Sequence, residues 1–295
     1  MTDHVHDAMW VTPETFEQQI RWMTQVGDVV SHERILDYER PNDRPLFTVT
    51  FDDGWKDNYT AAFPTLKRYK VPALIFLATG AIDSGQLFWP ADVVTKTQHA
   101  VRSDGAAKVM KALEALCPEG LHIDAENAPA AQAETLVEAL KLVSEANRNR
   151  RIGEYFDCLG ADRAPLQGYI MNWDEVREMH AAGIAFGSHT HNHKILKELS
   201  EPQIEEELVL SRDTLVRELA APADTFAYPN ARYHGTEAGV LARCGYRLGF
   251  RLHNKSLRAD TDPYFIPRLI SYESIARNPA FFKLRLLDTP MYKAS

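Results

Sequence analysis

Short apolar runs that stop abruptly alternate with longer amphipathic stretches, and this alternation most restricts the fold. The run Leu46-Phe47-Thr48-Val49-Thr50-Phe51 is rich in β-branched and aromatic residues and ends in Asp52-Asp53-Gly54, which predicts a strand. A helix is expected over 58–69, then a second apolar run over 72–79 bounded by Gly80. Strand, helix and buried strand in succession describe a βαβ unit with a parallel sheet. Upstream, Thr12-Pro13 opens a helix, with Thr as N-cap and Pro at the first helical position, and Phe16, Ile20 and Met23 follow at helical spacing. The alternation resumes after residue 167. A helix is expected over 174–182 and a strand over 184–187, running into Ser188. Ser200-Glu201-Pro202-Gln203 is a capping box, and Ile204, Leu208, Leu215 and Leu219 line one face of the helix it opens. Strands are expected at 225–228, 246–252 and 265–270, with a last helix over 274–287. Repeated β then α predicts an α/β chain: a distorted (β/α) barrel of near-TIM type, with its chemistry at the C-terminal ends of the strands.

Residues 91–167 break the pattern. They are rich in Ala, Glu and Lys and poor in strand formers, with Leu136, Leu140 and Val143 as a helical stripe. They read as a helical insertion in a single domain spanning 1–295. A separate helical domain is the alternative, disfavoured because strands resume afterwards. With 295 residues, 45% hydrophobic and 25% charged, the chain is globular and large enough to fold without a disulfide or metal staple. A metal would therefore serve chemistry. The net charge of −8 argues against nucleic acid as the main partner, since phosphate binding needs a basic stripe. Cys117, Cys158 and Cys244 are odd in number and far apart, and read as ordinary thiols. The longest apolar stretch, 72–78, is too short to span a bilayer, and residues 1–19 hold no apolar signal core. A soluble, cytoplasmic protein is expected on these grounds, although a trimmed chain would look the same.

Two clusters can carry chemistry. Asp52 and Asp53 leave the end of a strand in different directions, so one can hold a metal while the other handles a proton. Gly54 permits the tight turn after them. Taken alone, Asp-Asp-Gly reads more readily as a polar loop capping the next helix. The second cluster, His189-Thr190-His191-Asn192-His193, places three of the chain's 11 histidines in five residues after a strand. Imidazole suits zinc and other borderline metals. A solvated polar loop is the competing reading. A barrel would bring both clusters to one rim, where one Asp and two His make a facial triad with open positions and a spare carboxylate beside it.

These residues also carry a resemblance. Thr50-Phe51-Asp52-Asp53-Gly54 and Ser188-His189-Thr190-His191-Asn192-His193 resemble the motifs of the polysaccharide deacetylase family, also called the NodB-homology family or carbohydrate esterase family four. Phe226-Ala227-Tyr228-Pro229-Asn230 resembles its third motif in the FAYP form. Asn172-Trp173-Asp174 and Gly183 fit the lead-in to the histidine motif. The likeness covers roughly residues 11–268. It implies a metal-dependent hydrolase that removes N-acetyl groups from amino sugars of a polysaccharide or glycan precursor. It implies a divalent metal on Asp53, His189 and His193: zinc first, with cobalt, nickel, iron(II) or manganese also compatible. It implies Asp52 as the base that activates water, the backbone N–H of Asn230 as an oxyanion donor, and Thr190 and Asn192 as braces of the histidine loop. His191 falls on a variable position and is assigned no ligand role.

Two departures stand out. Ala227 occupies the place where many members carry an Arg that orients the base, which leaves open how Asp52 is tuned. The family's general-acid His has no clean match; His253, after a strand, is the candidate, with a solvated loop His as the rival reading. Arg268 in Ile266-Pro267-Arg268 resembles a recurring Pro-Arg of this branch, and pairing with a carboxylate is its expected role. Trp55, Tyr228 and Trp89 are candidates for stacking on sugar, since aromatic faces pack against sugar C–H surfaces; a place in the core is the alternative for each. Two rival functions are a carbohydrate-binding domain that lost turnover and an amidohydrolase-like barrel using all three alternating histidines. The second predicts that His191 joins the metal site. Neither the sugar nor the oligomeric state is legible.

Overall fold

The computed structural model describes residues 11–37, 44–116, 129–253, 257–258 and 260–286. They fall into two compact units, one of residues from 86–167 and one of residues from 8–85 and 168–295. Cys117 lies outside the described residues.

Among the described residues the larger unit carries eight short parallel strands. β1 (Asp28–Val29) pairs with β2 (Leu46–Phe47) in a small sheet of their own. The main sheet holds β3 (Val49–Phe51), β4 (Ala73–Leu77), β5 (Ala185–Ser188), β6 (Thr225–Ala227), β7 (Leu248–Leu252) and β8 (Ile266–Arg268), hydrogen-bonded in chain order. The single strand expected over 46–51 is thus two strands in two sheets. The switch comes at Thr48, whose hydroxyl donates to the Val30 carbonyl and ends the pairing with β1. From Val49 onward the chain takes β4 as its partner. Alternate residues enter opposite cores, as the strand period requires. Leu74, Phe76, Ala227, Leu248, Phe250 and Ile266 meet on one face. Phe226 and Tyr228 go to the other, against Ile204, Leu208, Val240, Leu241 and Tyr246. Burial on both faces is the mark of a parallel sheet wrapped by helices. Among the described residues no ladder joins β3 to β8, but Arg268 at the end of β8 donates to Thr50 Oγ1 of β3 at 3.2 Å. Side chains thus span the seam of a half-closed barrel.

Helices of this unit follow local rules. α1 (Pro13–Val26) is capped by Thr12, whose hydroxyl accepts the Thr15 N–H. A π turn at Asn58–Ala62 leads into α2 (Phe63–Tyr69), where Pro64 withholds a backbone donor. α3 (Thr79–Ser84) follows β4 directly.

Residues 86–167 contain α4 (Trp89–Asp104), α5 (Ala106–Leu116), α6 (Pro129–Leu140) and α7 (Glu145–Leu159). They enclose a core of their own built on Val93, Val94, Leu113, Leu136, Leu140, Tyr155 and Phe156. A buried Lys96–Asp92 pair at 2.8 Å, with the Lys96 ammonium 4.0 Å from the Phe156 ring centroid, fixes α4 within it.

The larger unit then continues with α8 (Trp173–Ala181), α9 (Glu201–Leu219), α10 (Ala238–Arg243), α11 (Glu273–Ala276) and α12 (Pro279–Leu286). Asn172 and Glu175 form a reciprocal capping box at α8. The one helix expected over 274–287 is two, because Pro279 cannot continue a helix and the Asn278 side chain caps the next one through the Ala280 N–H. Among the described residues no helix is long and apolar enough to cross a membrane.

Candidate metal centre

The site lies at the C-terminal ends of the parallel strands. β3 delivers Asp52 and Asp53, β5 delivers His189, and the loop after β5 delivers His193. The turn after β3 is tight: the Gly54 N–H donates to the Asp52 carbonyl, and Asp53 has a left-handed φ of 72°. Gly54 also has a left-handed φ, and a Cβ there would meet Ile82 and Leu77 at 2.8 Å. The Met171 N–H holds the Gly54 carbonyl and the Lys56 N–H reaches the Tyr169 carbonyl, so the turn is pinned by the segment before α8.

Asp53 Oδ2 accepts the Trp55 indole N–H at 3.0 Å. Its other oxygen, Oδ1, is buried without a hydrogen-bond partner. That oxygen lies 3.4 Å from His189 Nε2 and 3.3 Å from His193 Nε2. The opposite nitrogen of His189, Nδ1, is 2.8 Å from the Ala227 carbonyl. A carbonyl only accepts, so Nδ1 carries the proton and Nε2 presents a lone pair to the carboxylate. Burial pushes the His189 pKa down, outweighing the neighbouring carboxylates, and the ring stays neutral. Burial raises the Asp53 pKa, but the imidazoles of His193 and His189 and the Trp55 hydrogen bond outweigh it and hold the group well below the usual carboxylate range. A carboxylate oxygen thus faces the nitrogens of two imidazoles inside the protein. A cation between them resolves that conflict. Two atoms each about 2.0–2.1 Å from one tetrahedral ion lie about 3.3–3.4 Å apart, which is the spacing found. Asp53, His189 and His193 are the three-residue group among the described residues that can hold a metal, and their chemistry fits one.

Asp52 is set differently. Arg268 donates to both of its oxygens, at 2.7 and 2.8 Å. Burial works to raise the Asp52 pKa, but the Arg268 charge, the His189 ring and the Arg268 hydrogen bonds hold it below the ordinary value. The Arg absent at Ala227 thus has a counterpart on β8, while the Ala227 carbonyl serves His189. The expected carboxylate partner of Arg268 is Asp52 itself.

The histidine loop is braced on two sides. Thr190 and His193 both have left-handed φ, 64° and 53°. Thr190 Oγ1 accepts the Lys194 N–H at 3.1 Å. His191 turns away from the cluster: its ring meets Thr79 Oγ1 at 2.9 Å and its carbonyl accepts the Gly80 N–H. A Cβ at Gly80 would lie 2.9 Å from that carbonyl. Asn192 bonds Glu207 of α9.

The aromatic candidates part company. Trp55 is tied to Asp53. Tyr228 is 1% exposed, stacks at 7° on Phe265 and donates to the Tyr264 carbonyl. Its ring is closed in the core, which corrects the expectation of a sugar-stacking face. Trp89 belongs to the helical unit, where the Arg148 guanidinium covers its ring at 5.0 Å. Asn230, just after β6, has a left-handed φ of 54°. His253, after β7, donates its backbone N–H to the Arg268 carbonyl, and its Nδ1 is buried without a hydrogen-bond partner. Sequence reasoning missed Glu207 and the Ala227 carbonyl. Glu207 has a legible sign, a carboxylate on the Ile204–Leu208 apolar face of α9; a backbone carbonyl has none.

The polysaccharide deacetylase family model matches residues 39–123 and 145–249. The poly-beta-1,6-N-acetyl-D-glucosamine N-deacetylase of Staphylococcus aureus is 22% identical over 272 residues, covering 88% of this chain and 67% of that protein. Among solved structures, the deacetylase PplD of Streptococcus pyogenes aligns with a TM-score of 0.59 at 19% identity, covering 90% of this chain and 84% of that one. IcaB of Ammonifex degensii aligns with a TM-score of 0.58 at 19% identity, covering 95% and 90%. At such identities the structures establish the fold, a NodB-type half-barrel. The family model spans well over half of the sequence, and on that match the chain belongs to the polysaccharide deacetylases, hydrolases of carbohydrate esterase family four.

Proposed function

We propose that this protein is a divalent-metal-dependent hydrolase that removes N-acetyl groups from amino sugars of a polysaccharide, with Asp52 as base. One observation carries the reading: a buried Asp53 oxygen faces two imidazole nitrogens at 3.3–3.4 Å, beside a carboxylate held ionised by Arg268. Asp53, His189 and His193 hold the ion; zinc suits one carboxylate and two imidazoles, and cobalt, nickel, iron(II) and manganese compete with it. When bound, the ion supplies Lewis acidity and makes water easier to deprotonate. Asp52 takes a proton from the attacking water, and Arg268 keeps its oxygens aimed and charged. The water oxygen bonds to the acetyl carbon, the C–N bond breaks, and the sugar nitrogen leaves as an amine once protonated. His253, beside Arg268, is the group proposed to deliver that proton. The Asn230 N–H is the donor proposed for the negative oxygen that develops on the acetyl carbonyl, in the manner of an oxyanion hole.

The named activity of the Staphylococcus aureus relative makes β-1,6-linked N-acetylglucosamine polymer the first substrate to test. Acetate release should be measured on β-1,6- and β-1,4-linked N-acetylglucosamine oligomers, with zinc present and after chelation. Release that needs the metal supports the proposal, and preference for the β-1,6 oligomers supports the substrate. Release that survives complete chelation contradicts the metal-dependent reading.

A further inference from the structure

We infer that Glu207, on α9, is a positioning residue for the metal centre: its carboxylate clamps Asn192 and so sets how His193 is presented. This rests on the metal-centre reading above. Glu207 lies 15 residues beyond Asn192 and is 8% exposed. Its Oε2 accepts the Asn192 backbone N–H at 2.7 Å and its Oε1 accepts Asn192 Nδ2 at 2.8 Å. Two donors converge on two acceptors, and a carboxylate is the side-chain group that offers two acceptor oxygens in that spacing. The clamp matters because of what it holds. Thr190 and His193, on either side of Asn192, both sit at left-handed φ, a conformation that non-glycine residues leave unless surrounding contacts impose it. On the other side, the first turn of α3 fixes His191 through Thr79 and Gly80. Asn192 therefore has α9 behind it, and the next residue is a metal ligand. Releasing Asn192 frees the backbone to relax and swings His193 Nε2 away from Asp53 Oδ1.

The test is zinc affinity of the full chain, measured by competition with a fluorescent zinc chelator, alongside thermal unfolding of the metal-free protein. Glu207→Ala should weaken zinc binding about 10–100-fold, the range for loss of groups that orient metal ligands. Glu207→Gln should stay within about threefold, because Asn192 can turn its amide so that Oδ1 accepts from the new Nε2 while the Gln oxygen keeps the backbone N–H. Glu206→Ala, exposed on the same helix, should bind like wild type. Wild-type affinity in a folded Glu207→Ala protein with lowered thermal stability would make Glu207 a packing residue and overturn the inference. If Glu207→Ala does not fold, Asn192→Asp carries the test from the loop side: it sets a carboxylate against Glu207 and should weaken zinc at least as much, and unchanged affinity overturns the inference. Failure of the wild type to bind zinc would instead remove the metal-centre reading itself.

Discussion

Arg268 reaches Asp52 from 216 positions further along the chain and donates to both carboxylate oxygens. Two adjacent aspartates thereby acquire different characters, one paired with a guanidinium and one facing two imidazole nitrogens. The pair also bears on stability. The folded pKa of Asp52 lies below its unfolded value near 3.9, so the pairing stabilises the protein above that pH and the contribution is lost as pH falls through the lowered pKa. Arg268→Ala should lower the stability of the metal-free protein by about 2 kcal/mol at neutral pH, the scale of charge-assisted hydrogen bonds. It should also flatten the fall of stability below pH 4. Urea unfolding at several pH values in a chelator measures both. Trp55 gives a second test. Trp55→Phe keeps a ring but removes the N–H on Asp53 Oδ2, and should weaken zinc about tenfold. A zinc affinity equal to wild type, with a raised KM for oligosaccharide, would return Trp55 to the sugar-stacking role its position first suggested. At this scale the sequence makes Asp53, His189 and His193 legible because each follows a strand closely. The Arg268 contact is legible only as a need for some carboxylate, since nothing local in the sequence specifies which one. Tyr228 shows the limit: an aromatic at a strand end can face the cleft or the core, and only the packing of Phe226, Tyr233 and Phe265 around it decides.

Most elements lie within a residue or two of their expected positions, and the exceptions are the breaks at Thr48 and Pro279. α1 begins after Thr12 and α8 after Asn172 because each cap completes a hydrogen bond within three residues. Asn172→Ala should therefore cost about 1 kcal/mol, read as a lowered urea midpoint with an unchanged slope. The Met171 N–H that holds the Gly54 carbonyl is a backbone group this substitution leaves in place, so zinc affinity should respond far less than stability. By contrast, the break at Thr48 depends on β1 and β4 competing for one stretch of chain, which composition cannot reveal. The split between α11 and α12 was legible in Pro279, a helix breaker inside an expected helix. The acidic residue on the buried face of α9 was legible in the same way, as a polar group among Ile204, Leu208 and Leu215.

For the whole molecule, the alternation of strand and helix specifies a parallel sheet in chain order and the strand ends at which the chemistry gathers. The extent of closure was beyond it: six strands form the main sheet, and Arg268, Asp52 and Thr50 join its two edges by side chains. The helical stretch was legible from its Ala- and Leu-based pattern, with Leu136 and Leu140 buried in the core of that unit. The proposed division of labour has Asp53, His189 and His193 holding the ion and Asp52 moving the proton. The most direct test is zinc stoichiometry together with acetate release from N-acetylglucosamine oligomers for wild type, Asp52→Asn and His193→Ala. About one zinc per chain is expected in wild type and in Asp52→Asn, with loss of zinc in His193→Ala and acetate release at least 100-fold lower in both variants. Full zinc occupancy in His193→Ala, or undiminished acetate release by Asp52→Asn, would contradict that division.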